Sequence, residues 1–135
     1  MLCGATPAPQ TIVKDATALH RLQRNSGITL QWIGFVTPQR GRLRAHMEDG
    51  VLALTGSQQS PDGSEQLTID GYVELIDERS FTFVGDIVIL NSPTSPRECV
   101  RQGRFNFRAA GKRRYWRLQQ MQSCDNLTDY VDIYF

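Results

Sequence analysis

Leu67-Thr68-Ile69-Asp70-Gly71-Tyr72-Val73-Glu74-Leu75 alternates its two faces without a break, with Leu67, Ile69, Gly71, Val73 and Leu75 on one side. A period of two marks a strand with one face in a core and one in water, because successive side chains of an extended chain point to opposite sides. Pro61-Asp62-Gly63 before it and Asp77-Glu78-Arg79 after it are turn residues, so the chain reverses at both ends. The rhythm continues upstream. Ile28, Leu30 and Trp32 alternate with Thr29 and Gln31, and Leu43, Ala45 and Met47 alternate with Arg42, Arg44, His46 and Glu48. Asp49-Gly50 is a two-residue hairpin signal leading into Val51 to Ser57. Downstream, Phe81, Phe83, Ile87 and Ile89 share one face of Ser80 to Leu90. Val100 to Ala109 and Arg113 to Gln120 flank Ala110-Gly111, and Asp129 to Phe135 sets Val131, Ile133 and Phe135 opposite Tyr130, Asp132 and Tyr134. The count is eight. Eight strands joined by short turns predict an all-β fold, a single antiparallel meander closing into an up-and-down barrel. The alternative is a two-layer sandwich or a half-open sheet.

One segment has helical spacing. Ile12, Ala16, Leu19 and Leu22 fall on one side, and Asn25-Ser26-Gly27 stops the run, so a short helix is expected over 10–24. Residues 1–9 then read as a flexible tether, and 10–135 as one domain with that helix at its start. The chain has 135 residues, 40% of them hydrophobic and 21% charged, which suits one globular core rather than a disordered chain. The net charge of +1 excludes a global field toward nucleic acid or anionic lipid, so any such attraction must be local.

A short helix, Trp32 on the first strand and an eight-strand meander to the C-terminus is similar to the plan of the calycin barrels, the lipocalin and avidin group. The resemblance spans Ile28 to Phe135 and implies a barrel with either a packed centre or one small ligand inside. Lipocalins carry Gly-x-Trp where this chain has Leu30-Gln31-Trp32, and no binding residue is carried across.

The charges are unevenly distributed. Arg97, Arg101, Arg104, Arg108, Lys112, Arg113, Arg114 and Arg117 face the single acid Glu98 between residues 97 and 117. Pairing Arg108 with Arg113 would put Arg104, Arg108, Arg113, Tyr115 and Arg117 on one face and Phe105, Phe107, Trp116 and Leu118 on the other. Tyr115 alone then shares the arginine face. That face reads as a solvated surface whose arginines meet acids such as Asp132, or as a surface for an anionic partner. Single-stranded nucleic acid, which needs several stacking rings, is the least favoured partner. Arg114 falls on the apolar face beside the hairpin tip, where it can meet an anionic ligand head at the barrel mouth near Trp116 and Trp32. Asp62, Glu65, Asp70, Glu74, Asp77, Glu78 and Asp86 read as a solvated acidic face, since they lack the spacing of a calcium loop.

No catalytic motif, cofactor signature or metal-ligand spacing emerges. His20 and His46 have no partner in the pattern, and no Gly-x-Ser-x-Gly elbow presents a serine. The expectation is a non-enzymatic binding domain without metal or cofactor, taking a small apolar or anionic ligand at the mouth or a protein partner. The alternatives are phosphate or nucleic-acid binding along the hairpin 97–117, and an enzyme of unrecognised type.

Cys99 and Cys124 fall where they can face each other across the base of a hairpin, either as a disulfide or as two half-buried thiols. No stretch reaches the roughly 18 apolar residues of a membrane span, and Met1 to Gln10 lacks the order of a signal peptide. Cys3 stands where a processed lipoprotein would begin, without the apolar segment such processing needs upstream. The expected location is periplasmic or secreted if Cys99 and Cys124 are bonded and a signal peptide has been removed, and cytoplasmic otherwise.

Overall fold

The structure, a computed structural model, describes residues 10–92, 95–122, 124 and 128–135, the side chains of residues 92 and 95–97 excepted. Residues 1–9, expected above as a tether and including Cys3, and the side chain of Arg97 lie outside the described residues. The elements run β1 (Ile12–Val13), α1 (Ala16–Gln23), β2 (Gly27–Leu30), α2 (Gln31–Gly34), β3 (Arg42–Glu48), β4 (Val51–Gln59), β5 (Gln66–Ile76), β6 (Ser80–Ser92), β7 (Ser95–Arg108), β8 (Tyr115–Leu118) and β9 (Val131–Tyr134).

The hydrogen-bonded order is β2-β9-β8-β7-β6-β5-β4-β3, a meander whose first long-range partner is its last strand. Between β2 and β3 a single bridge, Ile28 to Gly41, brings the ends together. This is the expected all-β barrel of eight antiparallel strands, nearly closed. Asp49 and Gly50 both take positive φ, 51° and 81°, as the two-residue turn between β3 and β4 requires. Gly71 and Gly85 sit opposite each other on β5 and β6, and a Cβ built on Gly71 would lie 2.7 Å from the Cα of Gly85 and 2.8 Å from the Phe83 ring. Any larger residue there would force the two strands apart.

Three expectations need correction. The helix begins at Ala16, not near Gln10, because the Asp15 side chain accepts from the Ala18 amide as an N-cap. Ile12, counted above on the helix, is exposed and lies in β1, which runs parallel to β5 with Ile12 opposite Leu75. Trp32 is on α2 rather than on a strand; β2 ends at Leu30 and Ile33 takes the buried position. On β5 a bulge between Val73 and Leu75 inserts Glu74, so Ile76 is buried and Leu75 is not.

The interior is filled. Phe81 stacks on Phe107 with centroids 4.9 Å apart, Trp116 meets Phe81 edge-on at 5.4 Å, and Phe83 lies between Phe105 and Phe107. Leu30, Leu67, Ile69, Val73, Ile87, Leu118, Val131 and Ile133 complete the lining. The turns fix two ends. At one lie the loops after β3, β5 and β7 together with Phe135; there α1 sends Ala18 and Leu22 into the core, and Asn25 Nδ2 donates to the Leu22 and Leu43 carbonyls. At the other, Cys99 within β7 is bonded to Cys124 with a Cα separation of 5.8 Å. The bond is the predicted disulfide, although Cys99 lies inside the strand rather than before it.

Candidate functional site

Arg108 pairs with Arg117 across β7 and β8, not with Arg113. The loop 109–114 is therefore longer than expected; the register moves by four residues, an even number, so the face assignments within β7 and β8 survive, whereas Arg113 and Arg114 fall in the loop and are both exposed. Arg104, Arg108 and Arg117 point outward, whereas Phe105, Phe107, Trp116 and Leu118 point in.

Two of the outward arginines are committed to acids. Arg117 donates to both Asp132 oxygens at 2.8 and 2.9 Å, and Arg104 donates to both Glu74 oxygens at 3.0 and 2.7 Å. The hydrogen bonds from Arg104 hold the Glu74 carboxyl below its usual range, and those to Asp132 raise Arg117. Tyr115 is not the single ring on this face. Tyr134 lies 5.5 Å from it, the Arg117 guanidinium sits 4.5 Å from Tyr130 and 5.3 Å from Tyr115, and Arg40 stacks 3.8 Å from Tyr134. Rings and guanidinium groups thus alternate along the outside of β8, β9 and β2 and satisfy one another.

Arg114 and Trp116 meet at the helix end. Phe135 donates its amide to the Arg114 carbonyl at 2.9 Å, and its ring lies 4.4 Å from that of Trp116. The guanidinium groups of Arg21 and Arg114 approach the same ring at 5.1 and 5.8 Å. Trp32, expected at this mouth, is at the opposite end, because Leu30 before it pairs with Val131 whereas Gly27 pairs with Tyr134. The cause is the direction of β2, which runs away from the mouth.

Beside Phe135 opens a cavity of about 210 Å³ lined by Arg21, Arg79, Lys112, Arg113 and Arg114 with Glu78, and by the backbone around Ala109 and Gly111. Counted by side chains, five cations surround it and one acid. Arg79 Nη1 donates to the Gly111 carbonyl at 2.9 Å, which ties the β5–β6 turn to the β7–β8 turn and fixes one wall. Lys112, Arg113 and Arg114 are exposed. Such a cluster suits an anion with several acceptor oxygens. The sequence pointed to Arg113 and Arg114; the run Lys112-Arg113-Arg114 at a hairpin tip could have added Lys112. Arg21 and Arg79 arrive from distant elements and had no local signal.

Among the described residues no group of three or more potential metal ligands gathers. The acids do other work. Asp62 takes hydrogen bonds from the Ser64 amide and from the Ser64 and Ser60 hydroxyls, which hold its carboxyl down to about 2. Asp77 is partly buried, which opposes its ionisation, but the Arg79 and Ser80 amides and the Ser80 hydroxyl outweigh that and lower it.

Fold and rim together define a small, helix-capped antiparallel barrel with a filled centre and a cationic cavity at the helix end. The chain belongs to the PM1083 family, which matches residues 10–135. It is similar to the uncharacterized protein PM1083 of Pasteurella multocida (strain Pm70), 40% identical over 108 residues that cover 78% of this chain and 68% of that protein. No solved structure matches it.

Proposed function

We propose that this barrel is a non-enzymatic binding domain that takes a small anionic ligand at the helix end, in the cavity beside Phe135. The observation that carries the reading is the convergence of Arg21, Arg79, Lys112, Arg113 and Arg114 on one opening, where Glu78 is the one acid among the described lining residues. Side chains of like charge gathered this closely repel one another, and a bound anion relieves that repulsion while accepting their hydrogen bonds. The filled aromatic interior leaves no room for a ligand at the barrel centre, which supports the mouth as the place expected for it. The alternative surface, the outward face of the hairpin, has Arg104 and Arg117 already paired, which leaves Arg108 and Arg113 for phosphate or nucleic acid.

The Cys99–Cys124 bond supports residence in an oxidising compartment, the periplasm or the cell exterior.

Calorimetric titration with inorganic phosphate tests the site. Binding is expected at low salt and weakens as salt rises, and the double change Lys112→Ala with Arg114→Ala should lower affinity by about tenfold or more, since each charge-assisted hydrogen bond contributes roughly 1.5–3 kcal/mol. Arg108→Ala should leave it unchanged. No binding to the wild-type protein, or an equal loss with Arg108→Ala, overturns the proposal.

A further inference from the structure

On the other side of Phe135 lies a second opening, a shallow trough of about 240 Å³ lined by Thr17, His20, Arg21, Arg24 and Phe135. Its character differs from that of its neighbour. The surface it presents is mostly apolar, formed by the Phe135 ring and by side chains whose polar ends reach out to water. Arg21 and Phe135 belong to both openings, so the trough and the cationic cavity are two compartments divided by one ring and one guanidinium group. Together they reach the size of a small-ligand pocket, roughly 300–1,000 Å³. Beneath the dividing ring, Trp116 is buried, and its Nε1 has no hydrogen-bond partner among the described residues.

A fully hydrated inorganic anion would use only the first compartment and leave the Phe135 ring and the trough wet. A ligand with a hydrocarbon chain behind its charge would use both. We propose that the ligand is a phosphate-headed alkyl amphiphile in monomeric form. Its headgroup is held by Lys112, Arg113 and Arg114, and its chain lies across Phe135 in the trough against α1. The inference rests on the anion site proposed above and adds the chemistry of the ligand's other half. Phosphate fits better than a single carboxylate because several convergent donors need several acceptor oxygens.

Trp116 reports on the site. The chain has two tryptophans, so Trp32→Phe leaves Trp116 as the sole tryptophan, excited selectively at the red edge where tyrosine does not absorb. In that background, titration with inorganic phosphate is compared with titration with octyl phosphate below its micelle concentration, and with vesicles carrying phosphatidylglycerol. Monomeric octyl phosphate should bind about tenfold or more tightly than inorganic phosphate, because each buried methylene multiplies affinity by roughly four. Thr17→Trp, which fills the trough from an exposed helix position, should abolish that advantage, read by calorimetry. Equal affinity for the two phosphates overturns this inference and leaves the anion site standing. Failure of both to bind overturns both. Binding to vesicles without any gain for the free monomer also overturns it, by assigning the surface to a membrane.

Discussion

Arg117 is clamped to Asp132 through both carboxylate oxygens. Asp132 beneath it is 6% exposed, on a strand position that alternation alone would leave in water. Bidentate pairing makes that burial tolerable, and Tyr115 and Tyr130 pack against the guanidinium group. Arg117→Met removes the partner and leaves a carboxylate sealed from solvent. Breaking a fully buried pair this way costs about 3–5 kcal/mol, and the partial exposure of Arg117 reduces that to about 2–4. Asp132→Asn, which leaves the partly exposed partner charged instead, should cost clearly less. Urea midpoints of the two variants check the order, and a loss below about 0.5 kcal/mol for Arg117→Met would show that the clamp holds nothing. The partnership was legible in the sequence, since parity placed Arg117 and Asp132 on outward faces of neighbouring strands. The extra rings were not, because joining Tyr130 and Tyr134 to Tyr115 requires the pairing of β8 with β9 and of β9 with β2.

At the scale of elements, period-two alternation proved durable and element ends did not. The faces of β6, β7 and β8 were readable because a core face repeats its message over many residues, so an error of four in register changes no assignment. Ends depend on single events. The Asp15 cap of α1 is a single hydrogen bond, and the bulge at Glu74 and the turn from β2 into α2 are single local departures, none of which spacing records. The disulfide joins the two kinds of information. It ties β7 to the segment after β8 across 25 residues, a span of chain whose freedom it removes from the unfolded state. On the chain-entropy account such a loop contributes about 3–4 kcal/mol. Reduction, or the double change Cys99→Ser with Cys124→Ser, should therefore lower the thermal midpoint by many degrees while the far-ultraviolet spectrum keeps its strand signature below the transition. An unchanged midpoint under reducing conditions would show that the bond does not hold the β7–β8 hairpin, and would remove the support for an oxidising compartment.

The whole molecule is a barrel with a seam. Seven of the eight joints between neighbouring strands are ladders, and the eighth, between β2 and β3, is a single bridge, with α1 packed against β3. A helix can close such a gap only through its side chains, because its own backbone bonds are internal. Leu22, fully buried, and Ala18 anchor α1 in the core, and Asn25 holds the helix end to the Leu43 carbonyl on β3. Resistance to opening should accordingly rise with distance from the seam. The long ladders of β5, β6 and β7, backed by the phenylalanine stack, should hold the slowest-exchanging amides, whereas those of β2 and β3 should exchange through local opening well before global unfolding. Leu22→Ala sharpens the contrast: it should cost about 2–5 kcal/mol and accelerate exchange at β3 more than at β6. If hydrogen exchange finds β3 as protected as β6, or finds both accelerated equally by Leu22→Ala, then α1 is not the element that closes the barrel. The cationic rim that α1 shares with Phe135 depends on the same packing, because Arg21 is placed by the turn of helix that Leu22 anchors. Loosening the seam should therefore weaken phosphate binding in the folded protein at temperatures where the strands remain intact.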